Sequence, residues 1–217
     1  MSGENSGVLK WQNPLYEIKL FGDAGKERID RFHRLISRSI NRVSKTLNPY
    51  LRRGSELKDY LINHVSYEVT TLPRRLGGLY NRLRNSIHLN AVHLDENPKF
   101  AEETPTHEIG HAALELNGTN EMYTQVGRKI YGERFARIFG EKYRPLGEKI
   151  GMHTANRALE GLTTVAQEDA DGALSLSAYT REKHAARAAI NEFGLQRVYS
   201  PTEGDAELIL PYIVRKY

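Results

Sequence analysis

The segment PTHEIGHAALELNG, residues 105–118, places two histidines four positions apart, with a glutamate directly after the first. On a helix, positions i and i+4 lie on one face, so His107 and His111 can direct imidazole nitrogens at the same ion. Glu108 then projects beside that ion, where its carboxylate can take a proton from a metal-bound water. The spacing indicates a zinc site with its own general base. The alternative is an ordinary helix with two hydrogen-bonded histidines.

The residues around this segment predict a helix with defined ends. Thr104 is a suitable N-cap, Pro105 suits the first helical position, and Gly118 suits a left-handed stop. A core-facing side is formed by Ile109, Ala112, Ala113 and Leu116. A capped helix with an apolar stripe favours the metal site over a chance pair of histidines.

The rest of the chain predicts an α+β fold. Alternating apolar residues predict strands at 15–21 and 64–72, and two extended pieces at 79–80 and 86–90 predict a hairpin at the edge of a small sheet. Apolar steps of three and four predict a long helix over 26–47. Further helices are predicted at 121–139 with Gly140 at its end, 151–170 and 180–193, followed by a mixed C-terminal segment. We expect a flexible tail at 1–12 and one domain at 13–217, with an α+β half (13–118) and a helical half (119–217).

The HExxH segment resembles the zincin metallopeptidases, in which an edge strand precedes the helix that carries this motif. THEIGHA preceded by SIHLN carries the resemblance, which spans roughly residues 64–170. It implies a zincin-like fold, one Zn²⁺ per chain, zinc ligands at His107 and His111, and a general base at Glu108. It also implies that the strand at 87–90 binds the substrate backbone as an added strand.

A catalytic zinc requires a third protein ligand. The metzincin continuation of HExxH is absent, because AALELNGTN follows His111. Glu160 lies in ALEGLTT on the polar side of a predicted helix, and EGLT resembles the segment by which gluzincins present a glutamate ligand. Glu121 is the alternative third ligand, although the chain would have to turn back toward His111 within three residues of the end of the helix. The remaining candidates are His153, Glu168, Asp169 and Asp205.

Hydrolysis also needs a donor for the oxyanion of the tetrahedral intermediate. The sequence offers four candidates and does not choose among them: Tyr179, His184, Tyr123 and His153. Thr164 and Asn156 are candidates for hydrogen bonds that orient a ligand.

The composition of the chain limits the kinds of metal site and the cellular location that we expect. The chain has no cysteine, which excludes disulfides, iron–sulfur clusters and thiolate metal sites. The first ten residues lack the apolar region of a secretory signal, and the chain contains no run of 18 apolar residues that predicts a membrane span. We therefore expect a cytoplasmic protein, with export by a route without such a signal left open. No feature indicates an oligomeric state.

Basic residues are concentrated in the N-terminal half. Between Lys26 and Arg84 there are 14 Lys and Arg against 5 Asp and Glu. This excess indicates either a solvated helix face or a surface for nucleic acid or an acidic protein. No zinc-finger, homeodomain or RNA-recognition signature accompanies it.

The leading hypothesis is a zinc metallopeptidase that hydrolyses peptide bonds in a protein or peptide substrate. A non-catalytic zincin-like module that binds through the basic half is one alternative. A zinc hydrolase of a non-peptide bond is another, because the same ligands can activate water against other carbonyls.

Overall fold

The structure is a computed structural model that describes residues 8–13, 16–21, 26–174 and 179–216. Its strands are β1 (Val8–Asn13), β2 (Tyr16–Phe21), β3 (Ser66–Thr70), β4 (Gly78–Asn81) and β5 (Ser86–Asn90). They form one sheet in the order β1-β2-β3-β5-β4. β3 runs parallel to β2 and β5, whereas the β1–β2 and β4–β5 pairs are antiparallel. Within the described residues, β4 is an edge strand.

Helices make up most of the remaining described chain. They are α1 (Lys26–Leu47), α2 (Gly54–Asn63), α3 (Ala91–Glu96), α4 (Pro98–Leu116), α5 (Thr119–Phe139), α6 (Arg144–Asp171), α7 (Thr180–Phe193), α8 (Leu195–Tyr199) and α9 (Glu203–Arg215). The fold is α+β, as predicted: the sheet lies in the N-terminal half, and beyond α4 the described residues form helices and no strand. The helical segment that carries HExxH lies between these two halves.

α1 is the long helix that supports this segment. Its six apolar positions are all buried, as their spacing predicted: Ile29, Phe32, Ile36, Ile40, Val43 and Leu47. This face packs against α2, α4 and α6. The opposite side forms ion pairs, because Arg38 and Arg42 contact Glu102 at 2.6 and 3.2 Å and Arg28 contacts Asp95 at 2.5 Å. Part of the basic series on α1 therefore neutralises acidic residues of α3 and α4.

Several predicted boundaries differ from the structure. Residues Val8–Gln12 of the predicted tail lie in β1, paired with β2, whereas residues 1–7 fall outside the described part of the chain. α6 begins at Arg144 rather than Gly151, with Pro145 in its first turn. The predicted mixed segment after Gly194 contains α8 and α9, and α9 begins with a capping box between Thr202 and Asp205. The left-handed Gly118 and Gly140 separate elements as predicted.

The start of α4 corrects the predicted N-cap at Thr104. α4 begins at Pro98, because the side chain of Asn97 accepts hydrogen bonds from the N–H groups of Lys99 and Phe100 at 3.0 and 3.4 Å. Asn97-Pro98 thus provides an earlier start signal of the same kind. Pro105 lies inside the helix and is buried. The two additional turns place Phe100, among other residues, beside the cleft described below.

Among the described residues, no helix combines the length and the apolar character that crossing a bilayer requires.

Candidate metal centre

Three side chains from two helices converge on one point. His107 and His111 extend from α4, and Glu160 extends from α6. Oε2 of Glu160 lies 3.3 Å from Nε2 of His107 and 3.4 Å from Nε2 of His111, and the two Nε2 atoms are 3.2 Å apart. Within the described residues, this is the group of His, Asp and Glu side chains whose ligand atoms are close enough to share a metal ion.

The dimensions of this triangle fit a tetrahedral ion. Zinc binds imidazole nitrogen and carboxylate oxygen at about 2.0–2.1 Å, which separates neighbouring ligand atoms of a tetrahedron by about 3.3–3.4 Å. The three observed separations of 3.2, 3.3 and 3.4 Å lie within about 0.2 Å of that value. Three protein ligands leave the fourth corner open, which is typical of catalytic rather than structural zinc sites.

The other nitrogen of each histidine is held by α6. Oε1 of Gln167 lies 3.3 Å from Nδ1 of His107, and Oγ1 of Thr163 lies 3.3 Å from Nδ1 of His111. An amide oxygen can only accept, so His107 donates from Nδ1, and its Nε2 is the nitrogen that faces Glu160. Hydrogen bonds at Nδ1, such as these with Gln167 and Thr163, orient metal-binding imidazoles. Both Nε2 atoms face Oε2 of Glu160, so a metal ion bound between these three atoms would replace the imidazole protons there.

The sequence of α6 places these groups together. Glu160, Thr163 and Gln167 lie at i, i+3 and i+7, so they share one face of the helix. This face can approach α4 closely because Gly110, between the two histidines, has no side chain. A Cβ at Gly110 would lie 2.9 Å from Cγ2 of Thr163. Thr163 was missed from the sequence; its spacing from Glu160 is the signal that would have found it.

The position of Glu108 is set by α4 and the edge strand. Its side chain is 7% exposed and packs against Gly78, where a Cβ would lie 2.8 Å from Cγ of Glu108. The backbone N–H of Tyr80 donates to its carboxylate. Burial raises the pKa of Glu108 to about 7, although the neighbouring His107 opposes this effect. A carboxyl group with this pKa can accept a proton near neutral pH.

The pKa of Glu160 is shifted in the opposite direction from that of Glu108. Burial opposes ionisation of Glu160, but contacts with the imidazoles of His107 and His111 outweigh burial and hold its pKa well below the usual range. Glu160 is thus negatively charged at neutral pH. Two neutral imidazoles and one carboxylate form a donor set that suits a borderline-soft divalent ion such as zinc.

Of the four candidate oxyanion donors, Tyr179 lies beside the cluster. Its ring stacks on that of His107 with the ring centres 6.5 Å apart. Burial, with Glu160 and Glu108 nearby, raises its pKa, so the phenol keeps its proton. Tyr123 is fully buried and donates to the carbonyl of Val198, a structural role. His184 and His153 are exposed and do not line the cleft.

The alternative ligands and orienting residues lie elsewhere. Glu121 is exposed and pairs with Arg82 at 2.5 Å, so it is not part of the cluster. The remaining acidic candidates Glu168, Asp169 and Asp205 pair with Lys183, Arg187 and Arg197, respectively. Thr164 donates to the carbonyl of Glu160 in its own helix, and the exposed Asn156 does not line the cleft.

An open cleft of about 530 Å³ contains the cluster. It is lined by residues of β4, α4 and α6 and by Tyr179; its further lining residues include Arg75, Leu76, His93, Phe100, Glu103 and Thr104. The predicted substrate strand at 87–90 is wrong in position, because β5 pairs with β3 on one side and β4 on the other. The free edge belongs to β4.

Comparison with protein-family models, with curated proteins and with solved structures finds no match to this chain. The chemistry of the centre is therefore deduced from its own residues: the ligand triangle, the hydrogen bonds at both Nδ1 atoms, and the buried carboxyl group of Glu108.

Proposed function

We propose that this protein is a zinc-dependent metallopeptidase of the gluzincin-like kind. The observation that carries the proposal is the His107–His111–Glu160 triangle, whose edges match those of a tetrahedral zinc site, with a buried carboxyl group beside it. The HExxH spacing supports the same function.

In this proposal, His107, His111 and Glu160 hold one Zn²⁺. A zinc ion at such a site supplies Lewis acidity, which polarises a carbonyl and lowers the pKa of water to about 7. Gln167 and Thr163 keep the two imidazoles in the orientation that binding requires. The negative charge of Glu160 reduces the net charge of the occupied centre to about +1, by addition of the formal charges.

Glu108 is the general base in this proposal. Its carboxylate takes a proton from the attacking water, and its buried position allows it to return that proton to the leaving amine. The N–H of Tyr80 fixes the carboxylate, and Gly78 provides the space in which it lies. Tyr179, whose phenol remains protonated, donates to the oxyanion in this proposal; its ring stacks on that of His107.

The edge strand favours a peptide as substrate. In β4, Leu79 and Asn81 lie opposite His88 and Ser86, and the Tyr80 N–H points away from β5 toward Glu108. Because the direction of backbone groups alternates along a strand, the N–H and C=O of Gly78 also point away from β5. An extended peptide can pair with these groups as an added strand, which brings its carbonyl beside the centre.

The variant Glu108→Gln tests this function. It should bind one zinc per chain, like the wild type, and cleave an unfolded protein such as casein at least about 100-fold more slowly. Glu115→Gln, on the same helix but in contact with Arg82, is the matched control and should retain both properties. Loss of zinc from Glu108→Gln would contradict the assigned base. A zinc-loaded wild type that hydrolyses small esters but no peptide would exclude the peptidase and favour the non-peptide hydrolase.

A further inference from the structure

The α5–α6 hairpin ends in an exposed tip. Before the tip, α5 contacts α9: Lys129 forms ion pairs with Glu203 and Glu207 at 2.9 and 2.7 Å. Between residues 133 and 149, Gly147 is the one buried residue. We call residues 133–149 the hairpin tip. It contributes no residue to the lining of the cleft.

Large apolar side chains are clustered on this tip. Ile138 and Phe139 are 58% and 56% exposed, Leu146 is 49% exposed and Tyr143 is 39% exposed. The ring of Phe139 contacts those of Phe135 and Tyr143, with centres 5.5 and 6.0 Å apart. Single exposed apolar residues are ordinary, but a contiguous group on a projecting element indicates an interaction surface.

Exposed cations lie in the same segment as the apolar cluster. Arg134, Arg137, Lys142 and Lys149 are exposed, and none of them forms an ion pair with another described residue. Two of the three acidic residues of the tip are neutralised, because Glu141 pairs with Arg144 and Glu148 lies 3.6 Å from Arg128. Glu133 is the third. The tip therefore presents exposed aromatic and aliphatic side chains together with these four exposed cations.

We propose that the hairpin tip is a peripheral binding surface for an anionic lipid bilayer. Apolar and aromatic side chains enter the headgroup region, while Arg and Lys side chains remain at the level of the lipid phosphates. A second copy of the chain is disfavoured as the partner, because it would place the Arg and Lys side chains of one hairpin tip against those of another. Nucleic acid would use the cations but would leave Ile138 and Leu146 without an apolar environment. Binding by the tip leaves the cleft accessible.

Vesicle sedimentation of the full chain tests this proposal. The wild type should bind vesicles that contain about 30 mol% phosphatidylserine in phosphatidylcholine, and bind pure phosphatidylcholine at least about tenfold more weakly. Ile138→Ser with Phe139→Ser should lower binding to the anionic vesicles at least about tenfold, since two apolar anchors are lost. Arg137→Gln with Lys142→Gln should lower it about fivefold or more.

The chain offers a matched control for exposed apolar residues. Leu83 and Leu208 are 99% and 58% exposed and lie outside the tip, so Leu83→Ser with Leu208→Ser should bind the anionic vesicles like the wild type. Circular dichroism spectra verify that each variant is folded. Equal binding to both kinds of vesicle, or binding to neither, would overturn the proposal. So would concentration-dependent dimerisation that the tip substitutions abolish, or tip-dependent binding to duplex DNA without binding to vesicles.

Discussion

Oε2 of Glu160 lies 3.3 Å from Nε2 of His107, although 53 positions separate the two residues in the chain. This contact joins α4 to α6 and brings to the HExxH helix a carboxylate that can serve as the third ligand of the proposed zinc site. It also distinguishes Glu160 from Glu121, which is much nearer to His111 in sequence but pairs with Arg82.

Removal of the third ligand should weaken zinc binding severely. Glu160→Gln replaces the carboxylate with a neutral amide, and we expect zinc affinity to fall at least about 100-fold. Glu121→Gln is the matched control and should stay within about twofold of the wild type, because Glu121 forms a surface ion pair. Competition with a chromophoric chelator measures both affinities. Wild-type affinity in Glu160→Gln would exclude it as a ligand.

The contacts at the Nδ1 atoms should tune zinc affinity without supplying a ligand. Thr163→Val or Gln167→Leu removes one hydrogen-bond partner of an imidazole, and each should lower zinc affinity about 10- to 100-fold. Thr154→Val is the control on the same helix, because its hydroxyl donates to the carbonyl of Ile150 instead. The same chelator competition applies. If the three variants bind zinc equally, the contacts at 3.3 Å do not orient the imidazoles.

A methyl group at Gly78 should displace the general base. The added Cβ would lie 2.8 Å from Cγ of Glu108 and 3.0 Å from Cγ2 of Thr104, so the edge strand or the carboxylate must move. We expect kcat/KM for a peptide to fall about tenfold or more while zinc stoichiometry stays at one. Gly204→Ala, where the new Cβ meets no atom within 4 Å, is the control. Unchanged catalysis in Gly78→Ala would show that this contact does not position Glu108.

Acid should destabilise the fold through His33. This histidine is 5% exposed on α1, and burial lowers its pKa from 6.5 to about 4. Between these values the unfolded chain binds a proton that the folded protein does not, so the free energy of unfolding falls as pH falls from 6.5 to 4. The contribution of one such group is at most about 1 kcal/mol per pH unit, since solvation and the neighbouring Asp30 moderate it.

Urea unfolding of the wild type and His33→Gln, across pH 4 to 7 in steps of about half a unit, measures this contribution. The stability curve of the variant should be flatter than that of the wild type over the acidic part of the range. Parallel curves would mean that His33 does not titrate differently in the folded and unfolded states.

The positions of most elements could be predicted from local sequence. The apolar spacing of α1 and the alternating residues of β3 indicate which side chains must leave water, and the structure buries these side chains. The start of α4 could not be chosen locally, because Asn97-Pro98 and Thr104-Pro105 are both good start signals. The earlier one begins the helix, and Pro105 is accommodated inside it, buried in the core.

The candidate site likewise has one part that local sequence predicts and another that depends on tertiary packing. The sequence by itself determined that His107, Glu108 and His111 share one helix turn, because a period of 3.6 residues fixes the relation of neighbours at i, i+1 and i+4. It left the third ligand, the oxyanion donor and the substrate strand open. The tertiary structure decided which side chains meet: it brings Glu160 and Tyr179 to the histidines and, on this side of the sheet, gives the free edge to β4 rather than β5. These relations join segments far apart in the chain, so they depend on how α4, α6 and the sheet pack, and no local periodicity contains that information.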